Sequence, residues 1–391
     1  SVYGKKFFSK YSLSGEVQAG RDQVRYYGST VQADSIEVPK QQYLTFGSGL
    51  QFRANKPKDQ VFFDIATLDY LYMRDLFNRS EHQINLSTEV SSSTKEGMVL
   101  ADLGADYITS TSDSSQQDFV SGTVGMRIEG NSRKWNYLFG AKASMLADIS
   151  GKSQSLFFYP NIDLQYNVLQ DFLIAYAGLK GGLEARGMNQ LRLENPFLNT
   201  SDSIRFSNHR IVVESGLKGR ISTGSNYHFG VRYSKIEDFA FYQLNQDNAL
   251  STNTFNLLYD DVNRFQFFGE LGFALSKKLH LNARADVLAF TTDNLLKAYN
   301  QPNMRGSLMA RYSIQSKIFL NTEWFYVGQR YVDNVRQIDG YVDGNLGLEY
   351  KYSNNLSAFV NLNNLLGKNY LLWEDYQSQG FNVLGGFTYK F

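Results

Sequence analysis

The stretch LHLNARADVLA, Leu279 to Ala289, alternates two opposite kinds of residue. Leu279, Leu281, Ala283, Ala285, Val287 and Ala289 take the odd positions, and His280, Asn282, Arg284 and Asp286 lie between them. Successive side chains of a β-strand point to opposite sides, so this pattern reads as a strand with one apolar and one polar face. Arg284 and Asp286 sit mid-strand, where a polar face must meet water or be paired.

The same split recurs upstream and downstream. Val99, Ala101, Leu103, Ala105 and Tyr107 oppose Asp102, Gly104 and Asp106, while Val120, Val124, Met126 and Ile128 oppose Ser121, Thr123, Arg127 and Glu129. Val342, Gly344, Leu346, Leu348 and Tyr350 oppose Asp343, Asn345, Gly347, Glu349 and Lys351. In the closing FNVLGGFTYKF, the residues Phe381, Val383, Gly385, Phe387, Tyr389 and Phe391 share one side.

Short connections at Lys56–Asp59, Thr94–Gly97, Ser276–Lys278 and Ser353–Asn355 read as tight hairpin turns. Longer ones, Met188 to Asn208, Asn245 to Thr252 and Asp333 to Ile338, are interspersed with them. That rhythm predicts an all-β fold, a transmembrane antiparallel up-and-down β-barrel of about eighteen strands. The whole chain, residues 1–391, reads as a single such domain.

A soluble β-sandwich or propeller also alternates, but its strands average about five or six residues and its apolar face is the packed interior. The segments here are longer. A barrel of about eighteen strands has a lumen too wide for side chains to fill, so its inner face must be polar and its outer face must meet lipid. The expected lumen-lining residues are therefore Asp102, Asp106, Arg127, Glu129, Arg284, Asp286, Glu323, Asp343, Glu349 and Lys351. They carry both signs, so they do not form the single-sign ring that imposes one charge selectivity. Rings at strand ends, Phe319, Trp324, Phe325, Tyr326, Tyr350 and Tyr352, are expected at headgroup depth, where an aromatic is apolar yet keeps a polar edge in water.

Composition excludes other classes. The 391 residues include no cysteine, which removes disulfides and thiolate metal sites. Thirty-nine basic and 38 acidic residues give a formal charge of +1 without long runs of one sign, so a nucleic-acid partner is not expected. No stretch reaches the roughly 18 apolar residues of a transmembrane helix.

The segment Ile338 to Phe391 resembles the final three strands of the TonB-dependent receptor barrels of Gram-negative outer membranes. The likeness rests on Asn361-Leu362-Asn363-Asn364, the Tyr376 to Gly380 loop and the terminal Tyr389-Lys390-Phe391; Asn195-Pro196-Phe197-Leu198 is also similar. It is good over about 55 residues and general upstream. The resemblance implies an outer-membrane location, contact with lipid and lipopolysaccharide, and assembly by the barrel-insertion machinery, which reads the last aromatics, here Phe387, Tyr389 and Phe391. It also implies solute transport and a plug or partner protein in the lumen. The family's plug and energy-coupling box are not seen, and Val2 to Lys5 reads as the tail of a strand that turns at Phe8-Ser9-Lys10. The chain is thus expected to be a plugless relative or the C-terminal part of a larger, 22-stranded barrel.

Chemistry is sparse. His82 and His209 lie near expected loops, and His228 and His280 are expected on or beside the lumen, but none has a triad-like context, so no catalysis is expected. The glycines of GLKGGLEARG, Gly178, Gly181, Gly182 and Gly187, lack dinucleotide-loop spacing and are expected to let a wide sheet bend, with no helix after them. Asp260-Asp261 is expected at a solvated loop tip rather than as a cation site. No cofactor or metal is implied. Transport through the barrel and a non-conducting role in an envelope assembly or secretion complex are the two functions left open.

Overall fold

A computed structural model describes residues 1–27, 40–55, 63–94, 97–113, 115–169, 171–199, 202–245 and 254–390. The turn at Lys56–Asp59, most of the Asn245 to Thr252 connection, and Phe391 lie outside the described residues. The chain opens with β1 (Val2–Phe7), β2 (Tyr11–Arg25), β3 (Lys40–Ala54), β4 (Ile65–Asp75), β5 (Ser80–Ser93), β6 (Met98–Thr111), β7 (Gln116–Asn131) and β8 (Trp135–Asp148). It continues through β9 (Ser153–Leu169), β10 (Leu173–Glu184), the helix α1 (Met188–Glu194), β11 (Ser207–Ser222), β12 (Ser225–Leu244), β13 (Phe255–Ala274) and β14 (Leu279–Thr292). Next come β15 (Met304–Ile314), β16 (Ile318–Val327), the short hairpin β17 (Arg330–Tyr331) and β18 (Gln337–Ile338), and β19 (Tyr341–Lys351). The chain ends with β20 (Leu356–Asn363), the short hairpin β21 (Leu371–Trp373) and β22 (Tyr376–Gln377), and β23 (Asn382–Tyr389). Among the described residues nineteen strands belong to one sheet, one more than the spacing suggests. No helix among the described residues is long and apolar enough to cross a membrane.

Two compact units are distinguished by their internal contacts. The first takes Ser1–Leu164, Gly178–Val213 and Ser234–Val262; the second takes Gln165–Ala177, Glu214–Tyr233 and Asn263–Phe391. In the first unit, β1 to β8 pair each with the next in antiparallel register. Val2–Phe7 is indeed a strand, and the Phe8 amide closes the turn onto Tyr11 O at 2.8 Å. In the second unit, β14, β15, β16, β19, β20 and β23 form a second antiparallel run of nearest neighbours. Two of its turns use one device, in which Ser276 Oγ accepts from the amides of Lys278 and Leu279 and Ser353 Oγ accepts from those of Asn355 and Leu356. A serine at the corner thus stands in for the missing strand partner.

Register sorts the side chains cleanly. Leu103 faces Val124, Ala101 faces Met126 and Val99 faces Ile128, all on one side, whereas Asp106 faces Ser121 and Gly104 faces Thr123 on the other. The apolar side is the exposed one: Val124 is 59% and Met126 62% exposed in mid-strand, while Ser121 and Ser144 are 2% and 1% exposed. A soluble sandwich would reverse those figures, because its apolar face is what it buries. In the second unit, Leu281, Ala283 and Ala285 share their face with Ala310, Leu308 and Gly306, and Asn282, Arg284 and Asp286 take the opposite one.

The aromatic expectation needs one correction. Trp324 and Tyr326 stand on the apolar face beside Gly344 and Val342, but Phe319 is opposite Glu349 and Phe325 opposite Asp343, on the polar face. In IFLNTEWFYV the rings at 324 and 325 are adjacent, so period two must divide them.

At the tip of the β17–β18 hairpin, the Asp333 carboxylate accepts from the amides of Arg336 (2.7 Å) and Val335 (2.8 Å) and pairs with Arg336 Nε at 2.6 Å. Those amides, helped by the guanidinium, hold its pKa down at about 2. A depressed folded value means that the tip is stabilised above the unfolded carboxylate pKa of about 3.9 and loses this as pH falls through about 2.

Two outcomes follow from the register and from the hairpin. Spin labels at 283 and 284 should differ, the first accessible to oxygen and the second to a water-soluble nickel reagent, and Ala283→Arg at mid-membrane should cost about 2 to 4 kcal/mol. Equal accessibility would refute the register. Amide protection over residues 333–338 should decline in wild type below pH 3 and be low at every pH in Asp333→Asn; a midpoint near 4 would refute the depressed pKa.

Candidate functional site

The long connection after β10 does not run free. It forms α1, and the helix is held to β5 by one side chain. Glu81 Oε2 accepts from the Met188 amide at 2.6 Å and Oε1 from the Asn189 amide at 3.0 Å. Those are the first two orphan N–H groups of the helix, and an anion there also answers its dipole. Gln190 Oε1 accepts from the Gly187 amide (2.9 Å), and the Gln190 and Gln83 side-chain amides exchange hydrogen bonds at 2.8 and 2.9 Å. Gly187 leaves the space for this, since a Cβ there would lie 2.7 Å from Glu81 Oε1.

Further along, Arg192 lies over the Tyr43 ring at 4.4 Å and bonds Asp22 at 3.1 Å and Asn189 at 3.0 Å. Met188 and Leu191 are buried, and so are Phe197 and Leu198 of the Asn-Pro-Phe-Leu stretch. Asn195 Oδ1 accepts from the Phe197 amide, and Leu198 makes a bridge with Phe255. Arg79 donates to the Asp202 carbonyl at 2.8 Å, and the Ile204 amide donates to Gln117 at 2.9 Å. Burial raises the Asp202 pKa, opposed by the Leu257 amide and by Arg79. Residues 187–199 and 202–204 are therefore stitched to the polar side of the first unit.

Beside α1 lies a cleft of about 510 Å³ whose lining includes Glu16, Gln18, Asp69, Gln83, Asn85 and Asp106. Register explains its chemistry. Glu16, Gly49, Asp69, Asn85, Asp106 and Ser121 are successive partners across β2 to β7, so carboxylates recur on every second strand. Asp106 accepts from Asn85 and Ser121, whereas Glu16 and Asp69 have no ion-pair partner among the described residues. The neighbouring row, Ser14, Gln51, Thr67, Ser87, Gly104, Thr123 and Ser144, carries no charge at all. One row further stand Glu89 and Asp102, and Arg127, from the row beyond them, pairs with Asp102, with Glu89 at 2.5 Å and with Glu129 at 2.9 Å. Of the residues singled out in sequence, Asp102, Arg127 and Glu129 thus form one cluster, while Asp106 belongs to the row of carboxylates.

In the second unit, the polar side carries a continuous relay. Arg232 bonds Glu214 (2.7 Å) and Gln266 (3.2 Å), Gln266 bonds Asp286 (2.7 Å), and Arg284 spans Asp286 (2.9 Å) and Glu270 (2.8 Å). Asp343 is buried and accepts from Tyr370 Oη at 3.0 Å. Glu323 lies between Met309 and Asn345, Glu349 between Phe319 and Phe359, and Lys351 sits 4.5 Å from the Phe319 ring. All six residues read from this half of the sequence lie on the polar face, but only Arg284 and Asp286 bond each other.

Several local expectations change. Asp260 and Asp261 lie inside β13, with Asp260 buried, not at a loop tip. A helix does follow the glycine-rich GLKGGLEARG segment, because Gly187 is its N-cap. His82 sits on the apolar-face register beside Tyr72 and bonds Tyr70 Oη at 2.9 Å; His209 bonds Glu184 at 3.0 Å and His228 bonds Tyr176 Oη at 2.8 Å. No group of three or more His, Asp or Glu among the described residues is placed to hold a metal.

No protein-family model matches the chain, and no curated protein matches it. Solved structures do. The copper transporter OprC superposes with a TM-score of 0.70 at 11% identity, covering 98% of this chain and 70% of that one. The FrpB iron transporter from Neisseria meningitidis (F5-1 variant) gives 0.74 at 10%, covering 99% and 71%. The siderophore receptor PirA from Acinetobacter baumannii gives 0.69 at 10%, covering 100% and 70%. The fold matches that of TonB-dependent receptor barrels. These structural neighbours are transporters and receptors, not enzymes.

Replacing Glu81 by alanine removes the acceptor from two buried helix amides, each costing about 1 to 3 kcal/mol when left unpaired. Trypsin should then cut folded, detergent-solubilised protein at Arg186 or Arg192 faster than wild type, with Glu81→Gln intermediate. Identical cleavage rates in all three would show that Glu81 does not hold α1.

Proposed function

We propose that this chain is the barrel of an outer-membrane transport receptor of a Gram-negative bacterium. The observation that carries it is the inverted sorting of its strands, with the apolar face exposed for lipid and the polar face laid out in rows of carboxylate, hydroxyl and ion-paired side chains. Its neighbours in fold, the copper, iron and siderophore transporters and receptors, support the same reading. On it, Asp102, Asp106, Arg127 and Glu129, together with Arg284, Asp286, Glu323, Asp343, Glu349 and Lys351, line the lumen. The outer face contacts lipid and lipopolysaccharide, and the terminal aromatics Phe387, Tyr389 and Phe391 are read by the insertion machinery. A plug or partner protein occupies the lumen when transport is gated.

Charge distribution adds a physical detail. Glu16 and Asp69 are uncompensated, and the Arg127 cluster sets one positive charge against the three carboxylates of Glu89, Asp102 and Glu129, so both depths attract cations. Reconstituted in a planar bilayer, the protein should conduct, with a reversal potential in a salt gradient that favours cations. Glu16→Gln combined with Asp69→Asn should move that potential toward zero. Absence of both conductance and solute-dependent liposome swelling, with stoichiometric co-purifying envelope proteins, would overturn transport in favour of a non-conducting assembly role.

A further inference from the structure

The end of the first unit that carries the β1–β2 and β7–β8 turns repeats one combination of residues. Lys6 and Lys10 flank the first turn, Arg133 and Lys134 lie in the second, and all four are exposed. None of them makes an ion pair among the described residues, nor does Asp64, held beside Ala54 at the same end. Just inside these cations stand rings. Phe8 stacks on Tyr11 at 4.6 Å and Tyr11 meets Phe52 at 4.9 Å; Trp135 is exposed, and Tyr137 meets Phe139 at 5.8 Å. Register places these rings on the apolar side, with Phe52 opposite Leu13 and Phe139 opposite Ile128. Lys6 is also opposite Leu13, and its ammonium lies over the Phe8 ring at 5.3 Å. That cation is turned to the apolar face, not to the polar interior.

The second unit repeats the combination at its own short turns. Lys277 and Lys278 form the β13–β14 turn and Lys317 the β15–β16 turn, all exposed, with Tyr312 on the apolar face opposite Leu279 and Leu320. Asp171, in the β9–β10 turn, pairs with none of the three. The long connections of this unit differ, because there Arg336 is matched by Asp333 and Glu374. A ring on the lipid side of a strand end settles at headgroup depth. Two further residues of strand cover about 7 Å, and a lysine stem can lie along apolar surface while its ammonium reaches out, so these cations arrive at the level of the phosphates. Neighbouring like charges such as Arg133 and Lys134 repel unless an anion lies between them. The β1–β2 and β7–β8 turns are six strand spacings apart along the sheet, about 29 Å. Cations spread in that way suit many small anions in one plane better than the single footprint of a protein.

We infer that the short-turn rim is a binding surface for anionic phospholipid headgroups, of the phosphatidylglycerol kind, in the leaflet that borders it. A phosphodiester with a net negative charge accepts from an ammonium and a guanidinium at once, whereas a zwitterionic headgroup brings its own cation to a rim that already has too many. The inference rests on the transport reading in so far as that reading sets the barrel in a membrane with its short turns toward the periplasm. It adds which lipid the rim selects, and through which side chains.

Lipid selection can be read without transport. Native mass spectrometry of the full chain released from detergent micelles, with phosphatidylglycerol and phosphatidylcholine of the same acyl chains at equal concentration, should show the first retained about fivefold or more over the second. Lys6→Gln with Lys10→Gln should lower that ratio, and adding Arg133→Gln and Lys134→Gln should lower it further, both variants keeping heat-modifiable mobility on gels. Arg336→Gln, on a long connection, should leave it unchanged. The inference is overturned by equal retention in wild type, by a ratio that survives in both folded variants, or by a ratio that falls as far in Arg336→Gln. It is also overturned if millimolar inorganic phosphate abolishes the preference, which would mark a small-anion site, or if hexaglutamate is retained ahead of the lipid, which would mark an acidic protein partner. Conductance without headgroup selection would fail this inference alone, and selection without conductance would fail the transport reading alone.

Discussion

Everything in this molecule follows from the need to satisfy backbone N–H and C=O groups where water is absent. In hydrocarbon each unpaired group costs several kcal/mol, so a strand must bond a neighbour on both edges along its length. Lateral pairing then fixes side-chain direction residue by residue. Once Leu103 is opposite Val124 and Asp106 opposite Ser121, neither can change face without moving every other side chain on its strand. The exposed apolar stripe and the polar one are two results of a single constraint.

The same constraint composes chemistry across strands as well as along them. Side chains far apart in sequence become neighbours in a transverse row, and the character of the row depends on register. Glu16, Asp69 and Asp106 come from three hairpins yet occupy one level, with an uncharged level of serine, threonine and glutamine beside it. Arg127 gathers carboxylates from three strands, including Glu129 of its own. Mixed composition can therefore hide strong local segregation of charge.

What could be read in advance was what depends on period two. The faces of β6, β7, β14, β19 and β23 are legible because apolar and polar residues alternate there over most of each strand. Rows were not, because register depends on turn length, and a one-residue change would pair Asp106 with a different partner. Phe319 and Phe325 were misplaced because a cluster of rings looks like a girdle until alternation divides it. Asp260-Asp261 looked like a turn because adjacent acids break the pattern, yet the strand continues through them. The helix α1 was missed because seven residues give too little periodicity, and its anchor, Glu81, lies on a strand more than a hundred residues earlier.

That last separation bears on how the chain is built. Hairpins from β1 to β8 join residues close in sequence and can form one after another, each closing a small loop. The bond from Glu81 to the Met188 amide spans 107 residues and has nothing to hold until β10 and Gly187 have been laid down. Long loops close late because their entropy must be met by structure already in place. The polar side of the first five strands therefore spends the early part of assembly uncovered, with Glu81, Gln83 and Tyr43 open to water. The segment that comes to lie over them is a latecomer to a wall already standing.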